Sequence, residues 1–245
     1  MKLKDKIAII TGAGKGIGWE TALDFAKEGA HLVLVSRTKK DLEKLAEKTK
    51  AYDVQTLIVT TDISDEGQVK EMIEKTLERF DRLDILVANA GIHLRKSITD
   101  TTVSEWDEMM EINLRGTFLC CREAVKVMIK QNYGKIVIVS SESGTKGSAS
   151  QGAYCTTKFG QIGFMEVLTD EVKDYDINVN AVLPSATNTP LIRQSYPEVN
   201  HERLIKPDRI AKVITFVSSE DASAVKGATL AVWNAQNYKP NLFNT

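Results

Sequence analysis

The chain has 245 residues, with 32 Lys+Arg against 33 Asp+Glu for a formal charge of −1, and 42% of its residues are hydrophobic. The near-balanced charge argues against a nucleic-acid surface or a polybasic membrane anchor, and the apolar content argues against disorder. The length fits one domain over residues 1–245. No apolar run approaches the length of a membrane span, and the amino terminus lacks the apolar stretch of a signal peptide. The three cysteines, Cys120, Cys121 and Cys155, form no CxxC pair, so a reducing cytoplasm is the expected setting.

In chain order, β-branched runs at 7–11, 32–35, 54–59, 85–88, 136–140, 177–182 and 229–232 predict seven strands. Helical apolar spacing predicts helices over 17–27, 39–50, 66–80, 104–130, 153–173 and 207–218, the third behind a Ser64-Asp65 start signal. This alternation predicts an α/β domain of the doubly wound Rossmann type, a mainly parallel sheet with helices on both faces and ligands bound beyond the carboxyl ends of the strands. The long irregular stretch at 183–206 contains three prolines and is expected to be a substrate loop.

Directly after the first predicted strand, Gly12, Gly14, Gly16 and Gly18 punctuate a turn that opens into a helix. Glycine there lets backbone N–H groups approach a diphosphate, whose charge the helix N-terminus favours, although glycine also serves ordinary tight packing. The spacing TGxxxGxG resembles the turn of the short-chain dehydrogenase/reductase family, close to its 3-oxoacyl carrier-protein reductase and sugar or alcohol dehydrogenase members. The fold then expected is a seven-stranded sheet of order 3-2-1-4-5-6-7.

At the end of the second strand stand Ser36 and Arg37, with no carboxylate. A 2′-phosphate suits that arrangement better than a 2′-hydroxyl does, and Lys15 adds a cation, so NADP(H) is expected over NAD(H). Asp62-Ile63 after the third strand matches the family's adenine contact, while Asp62 alone reads equally as a helix cap. Asn89-Ala90-Gly91 after the fourth strand resembles the family motif that shapes the cofactor crevice. With Gly12, Lys15, Gly16, Ile17 and Gly18, these residues are the expected cofactor contacts.

Tyr154 and Lys158 lie four apart and so share one face of a predicted helix. An isolated YxxxK match carries little weight, but Ser141 lies at the end of the fifth strand and Asn113 within the preceding helix, matching the family's Asn-Ser-Tyr-Lys tetrad. The choice of Ser141 over Ser140 and Ser143 rests on the interval to Tyr154 and on Gly144. Carbonyl reduction needs an oriented hydrogen bond and a proton source. Ser141 is expected to supply the first and Tyr154 the second, with Lys158 favouring the phenolate. The resemblance further implies that Tyr154 and Lys158 border the nicotinamide end, that Asn113 positions a relay water and distorts its helix, and that Pro184 and Thr189 flank the nicotinamide. Ser185 replaces a glycine usual in that segment.

The expected reaction interconverts a carbonyl and a secondary alcohol on a small molecule, by hydride transfer with Tyr154 as general acid/base. Expected pocket residues are His93, Leu94, Glu142, Ser143, Gln151, Leu191 and Ile192. The alternatives are a 3-oxoacyl carrier-protein reductase of fatty acid synthesis and a catalytically silent dinucleotide sensor. Asp174 and Asp176, where carrier-protein enzymes tend to be basic, weigh against an acidic carrier. His31, His93 and His201 lack metal-ligand spacing, so no metal is expected. The resemblance implies a homodimer or homotetramer, and the divergent carboxyl end, Val232-Trp233-Asn234-Ala235-Gln236, leaves one wall of the pocket open.

Overall fold

Every predicted β-branched run pairs with a neighbour in a single seven-stranded sheet. The computed structural model describes residues 1–233, so Asn234, Ala235 and Gln236 lie outside the described residues. The strands are β1 Ile7–Thr11, β2 His31–Ser36, β3 Thr56–Thr60, β4 Ile85–Ala88, β5 Gly134–Val139, β6 Ile177–Pro184 and β7 Thr229–Val232. Their order is β3-β2-β1-β4-β5-β6-β7, and all six pairings are parallel. The helices are α1 Gly16–Lys27, α2 Lys39–Thr49, α3 Glu66–Phe80, α4 Val103–Met109, α5 Gly116–Gln131, α6 Gly152–Glu171, α7 Pro190–Ser195 and α8 Pro207–Val217.

The period-2 geometry of a strand divides each apolar run between two cores. In β1, Ile7 and Ile9 enter the core beneath α3, α5 and α6, while Ala8 and Ile10 enter the core beneath α1, α2 and α8. Both faces of the sheet are thus covered, which is why the central strands read as continuous apolar runs. Local chemistry agrees with the packing at the helix ends. Asp65 caps α3 by accepting from the Gln68 amide at 3.0 Å, and Thr102 forms a capping box with Glu105 at the start of α4.

Two boundaries differ from the sequence expectation. The predicted helix 104–130 is interrupted, at the residue where the resemblance implies a distortion, by a π-helical turn, Met110–Arg115, in which the Asn113 side chain leaves the helix to bond the Ile92 backbone. Such bulges insert a residue without ending the helix and recur at functional sites. The stretch 183–206 is more ordered than expected: β6 runs through Pro184 because Leu183 and Pro184 pair with Ala231 and Val232 of β7. Beyond it, α7 begins with Pro190 behind the Thr189 cap, and a further 3₁₀ turn covers His201–Arg203. Pairing with a distant strand is invisible to local periodicity, and a six-residue helix is too short to show it.

Candidate active site

The carboxyl ends of β1, β4 and β5 meet beside the start of α1, and their backbones are stitched together there. The buried Thr11 hydroxyl accepts from the amides of Asn89 and Ala90, each at 3.0 Å, and the Asn89 side chain donates back to the Thr11 carbonyl at 2.9 Å. This approach leaves no room for side chains. A Cβ on Gly12, which also sits at φ 66°, would lie 2.9 Å from Ala90 Cα, and one on Gly18 would lie 2.4 Å from the Gly12 carbonyl oxygen. Gly18 is therefore buried beneath the turn, whereas Gly12, Lys15, Gly16 and Ile17 line the space above it.

That space is a continuous groove. Two adjoining cavities share Gly12, Lys15, Arg37, Ala90, Gly91 and Ile92, and together they run from Ser36, Asp41, Asp62 and Ile63 at one end to Tyr154, Lys158 and Thr189 at the other. Over its middle stands the N-terminus of α1, which has neither a side-chain cap nor an acidic residue in its first turn. An elongated groove crossing an uncapped helix N-terminus fits a dinucleotide with its diphosphate at the helix end.

At the β2 end, Arg37 is exposed, and Lys15 is engaged at 3.4 Å by Asp41, a carboxylate that the sequence reading passed over. Asp62 accepts from both the amide and the hydroxyl of Ser64, at 3.0 and 2.7 Å. Burial pushes its carboxyl up, but these hydrogen bonds and the Arg37 charge outweigh it and hold the group below the usual range. Asp62 is thus a turn-forming side chain that also faces the groove, while the helix cap is Asp65.

The three serines after β5 separate by their partners. Ser140 donates to the Lys158 carbonyl at 3.0 Å and anchors α6; Ser143 reaches Gln151 Oε1 at 3.4 Å; Ser141 shares a hydrogen bond with the Tyr154 phenol. Lys158, behind the phenol, is only 5% exposed, and its Nζ lies 5.6 Å from the centre of the Tyr154 ring. It donates to the Val139 carbonyl and to Gln161 Oε1, both at 3.0 Å. Burial raises the Tyr154 pKa to about 12, against the hydrogen bond from Ser141, and lowers that of Lys158 to about 7. Desolvation drives both groups toward their neutral forms, so without a ligand the site holds a protonated phenol rather than the phenolate expected from an adjacent cation.

Asn113 is fully buried and clamps Ile92 in both directions, accepting from its amide at 2.8 Å and donating to its carbonyl at 2.9 Å. Its own carbonyl accepts from Gln161 Nε2 at 2.8 Å and from the Thr117 hydroxyl at 2.7 Å. Gln161 therefore links the Lys158 ammonium to the Asn113 carbonyl through one side chain. The sequence reading missed it, although Tyr154, Lys158 and Gln161 follow the i, i+4, i+7 spacing of a single helical stripe.

A third cavity opens beyond Tyr154 and is lined by His93, Glu142, Ser143, Gln151, Leu191 and Ile192, all expected there from sequence, by Pro184, expected beside the nicotinamide, and by Ser185 and Tyr196. Leu94 does not line it. His93 packs edge-on to Tyr154 with ring centres 4.5 Å apart and contacts Ser195 Oγ at 3.0 Å; burial lowers its pKa to about 4, so the imidazole is neutral. Ser185 takes the place of the expected glycine without a positive φ, and its amide donates to the Val232 carbonyl at 3.1 Å. Thr189 caps α7 opposite the glycine turn. Asp174 and Asp176 precede β6, an eight-residue strand, which puts them about 25 Å from the site end of the sheet. Their charges do not border this chain's own cleft and so do not weigh against an acidic carrier.

A family model described as short chain dehydrogenase matches residues 6–200. The chain belongs to that family. It is 34% identical over 241 residues to a 3-oxoacyl-[acyl-carrier-protein] reductase of Thermotoga maritima, covering 95% of this chain and 98% of the relative. It is 33% identical over 255 residues to the levodione reductase of Leifsonia aquatica, covering 96% of each. A crystal structure of levodione reductase superposes with a TM-score of 0.91 at 33% identity, covering 96% of this chain and 98% of that one. A short-chain type dehydrogenase/reductase from Mycobacterium marinum superposes at 0.90 with 25% identity, covering 97% and 98%. Family membership makes the chain an NAD(P)-dependent oxidoreductase acting on CH–OH or carbonyl groups. No helix among the described residues is long and apolar enough to cross a membrane.

Proposed function

We propose that the protein is an NADP(H)-preferring reductase of a small carbonyl compound, with Tyr154 as proton donor, Ser141 as the hydrogen-bonding partner of the substrate oxygen, and Lys158 and Asn113 as their supports. The observation that carries this reading is the Ser141–Tyr154 hydrogen bond at the end of the groove that begins at the glycine turn. The dinucleotide, when bound, supplies the hydride. The chain's own residues do the rest. Ser141 and Tyr154 meet the carbonyl oxygen as negative charge builds on it, and the phenol, kept protonated by burial, releases its proton there. Lys158 lines the groove, and in its protonated form it has one N–H beyond its two carbonyl partners.

Preference for NADP(H) is drawn from Arg37, the exposed cation at the end of β2, since Lys15 is engaged by Asp41. Asp62, Ile63, Asn89, Ala90 and Gly91 form the far wall. A homodimer or homotetramer is supported by Phe118, Phe159 and Val167, large apolar side chains exposed along α5 and α6, since such patches mark contact surfaces. The relatives named as carrier-protein reductases favour a second reading, reduction of a 3-oxoacyl thioester. The test is Tyr154→Phe, which removes the proton and keeps the ring: kcat for NADPH-dependent carbonyl reduction falls at least about 100-fold while cofactor affinity persists. Near-normal turnover would remove the reading.

A further inference from the structure

The cavity beyond Tyr154 has two unlike walls. One is aromatic: the His93 ring packs against Tyr154 and Tyr196, with ring centres at 4.5 and 5.5 Å, the Arg95 guanidinium covers one face of Tyr196 at 4.5 Å from the ring centre, and Leu191 closes the side. The other is built from hydrogen-bonding groups with capacity left over. Glu142 enters the cavity from the turn after Ser141 and bonds the Ser185 hydroxyl, using one of about four acceptor positions on a carboxylate. Gln151 hydrogen-bonds the Tyr196 phenol, and its Oε1 is approached by Ser143 Oγ and His93 Nε2 at 3.4 Å each, the long limit of a hydrogen bond. Ser143 and Gln151 are nonetheless buried, at 8% and 5% exposure.

We infer that the substrate is a neutral, polyhydroxylated carbonyl compound of the sugar or cyclitol type, its ring face on His93 and Tyr196 and a hydroxyl next to the carbonyl held by Glu142. This rests on the reductase reading above and narrows it. A saturated polyol ring carries hydroxyls on its edge and C–H bonds on its faces, which is the pairing the two walls offer. The competing occupants fit worse. An alkyl chain seated here would strip water from Glu142, Ser143 and Gln151 and return no hydrogen bond. An anionic substrate would meet the carboxylate of Glu142.

The test is a matched panel followed by NADPH oxidation: a cyclic polyhydroxy ketone and an open-chain ketose against cyclohexanone, a methylated cyclic diketone and a short 3-oxoacyl thioester. Sites built to bond a hydroxyl discriminate strongly against analogues that lack it, so kcat/KM for at least one polyhydroxylated member exceeds that for every deoxygenated member by at least about 100-fold. Glu142→Ala cuts that ratio at least about tenfold, and Glu142→Gln, which keeps the shape and one acceptor oxygen, cuts it less. Reduction of the ketone, diketone or thioester as efficiently as the polyols overturns the substrate class while leaving the reductase reading intact. No reduction of any panel member overturns both. Equal ratios in wild type and in a folded Glu142→Ala remove Glu142 as the determinant and with it the inference.

Discussion

Replacing Lys158 by Met isolates what burying this ammonium costs the fold. In the native state its pKa falls to about 7 because burial strips its water, whereas in the unfolded chain it stays near its ordinary value of 10.5. Below the folded value both states are protonated and the native state bears the whole penalty. As pH rises above about 7, the native lysine releases its proton while the unfolded one keeps it, so wild-type stability increases with pH. Over the two units between about pH 7 and pH 9, at about 1.4 kcal/mol per unit, the gain is about 3 kcal/mol. The Met variant has no proton to lose there. The vacated Val139 carbonyl and Gln161 Oε1 lower its stability by an amount that does not depend on pH, so they drop out of the comparison. Tyr154, at about 12, titrates above the window. Urea unfolding of both ligand-free proteins at fixed concentration, at about pH 6, 7, 8 and 9, gives the difference directly. Wild type should gain on the variant by about 3 kcal/mol across the series. Parallel curves within about 0.5 kcal/mol would show that Lys158 is not desolvated as its surroundings imply.

Three further perturbations have defined outcomes. Gln161→Met keeps the volume but removes the acceptor on Lys158 and the donors to Asn113 and Thr117; ligand-free stability should fall by about 2–4 kcal/mol. Losing the acceptor also moves the Lys158 titration, and with it the pH–kcat profile, toward lower pH; a uniform loss at every pH with an unmoved profile would contradict a role through the lysine. Arg37→Ala should weaken NADPH binding at least about tenfold and leave NADH affinity nearly constant, as read by fluorescence titration, and equal losses for both cofactors would remove Arg37 as the discriminator. Gly18→Ala places a Cβ 2.4 Å from the Gly12 carbonyl oxygen and 2.6 Å from Asn89 Nδ2. The turn must shift, so NADPH affinity should drop at least about tenfold and Tm should fall with it; unchanged affinity would show that the turn does not shape the groove.

How far the sequence could be read depended on whether the governing interaction was local. The strands were legible because both faces of a covered parallel sheet demand apolar side chains, so runs such as Ile85-Leu86-Val87-Ala88 need no partner to be recognised. The cap at Asp65 and the shared face of Tyr154 and Lys158 follow from spacing along one helix. What escaped was set across the fold. The extension of β6 depends on β7, and the Lys15–Asp41 pair joins two separate elements; the distortion at Asn113 was implied by the family resemblance alone, because its cause is a bond to Ile92, 21 residues away. The remoteness of Asp174 and Asp176 likewise needed the direction of β6. Ser140 and Ser141 are neighbours of identical chemistry, separated in sequence only by the family interval to Tyr154; their partners, the Lys158 carbonyl and the Tyr154 phenol, give the physical distinction.

The weld between Thr11, Asn89 and Ala90 divides the cleft into a fixed floor and an exchangeable roof. Any backbone adjustment beneath the diphosphate region breaks several bonds at once, so evolutionary or engineered change there is heavily constrained. The roof, from Ser185 to the start of α8, is tied down by a short helix, a 3₁₀ turn and one isolated bridge between Thr187 and Ile205. Grafting the part of the roof beyond Gln194 from a relative is therefore the economical route to retuning what this scaffold accepts, since Thr189, Pro190, Leu191 and Gln194 also line the coenzyme groove and stay in place.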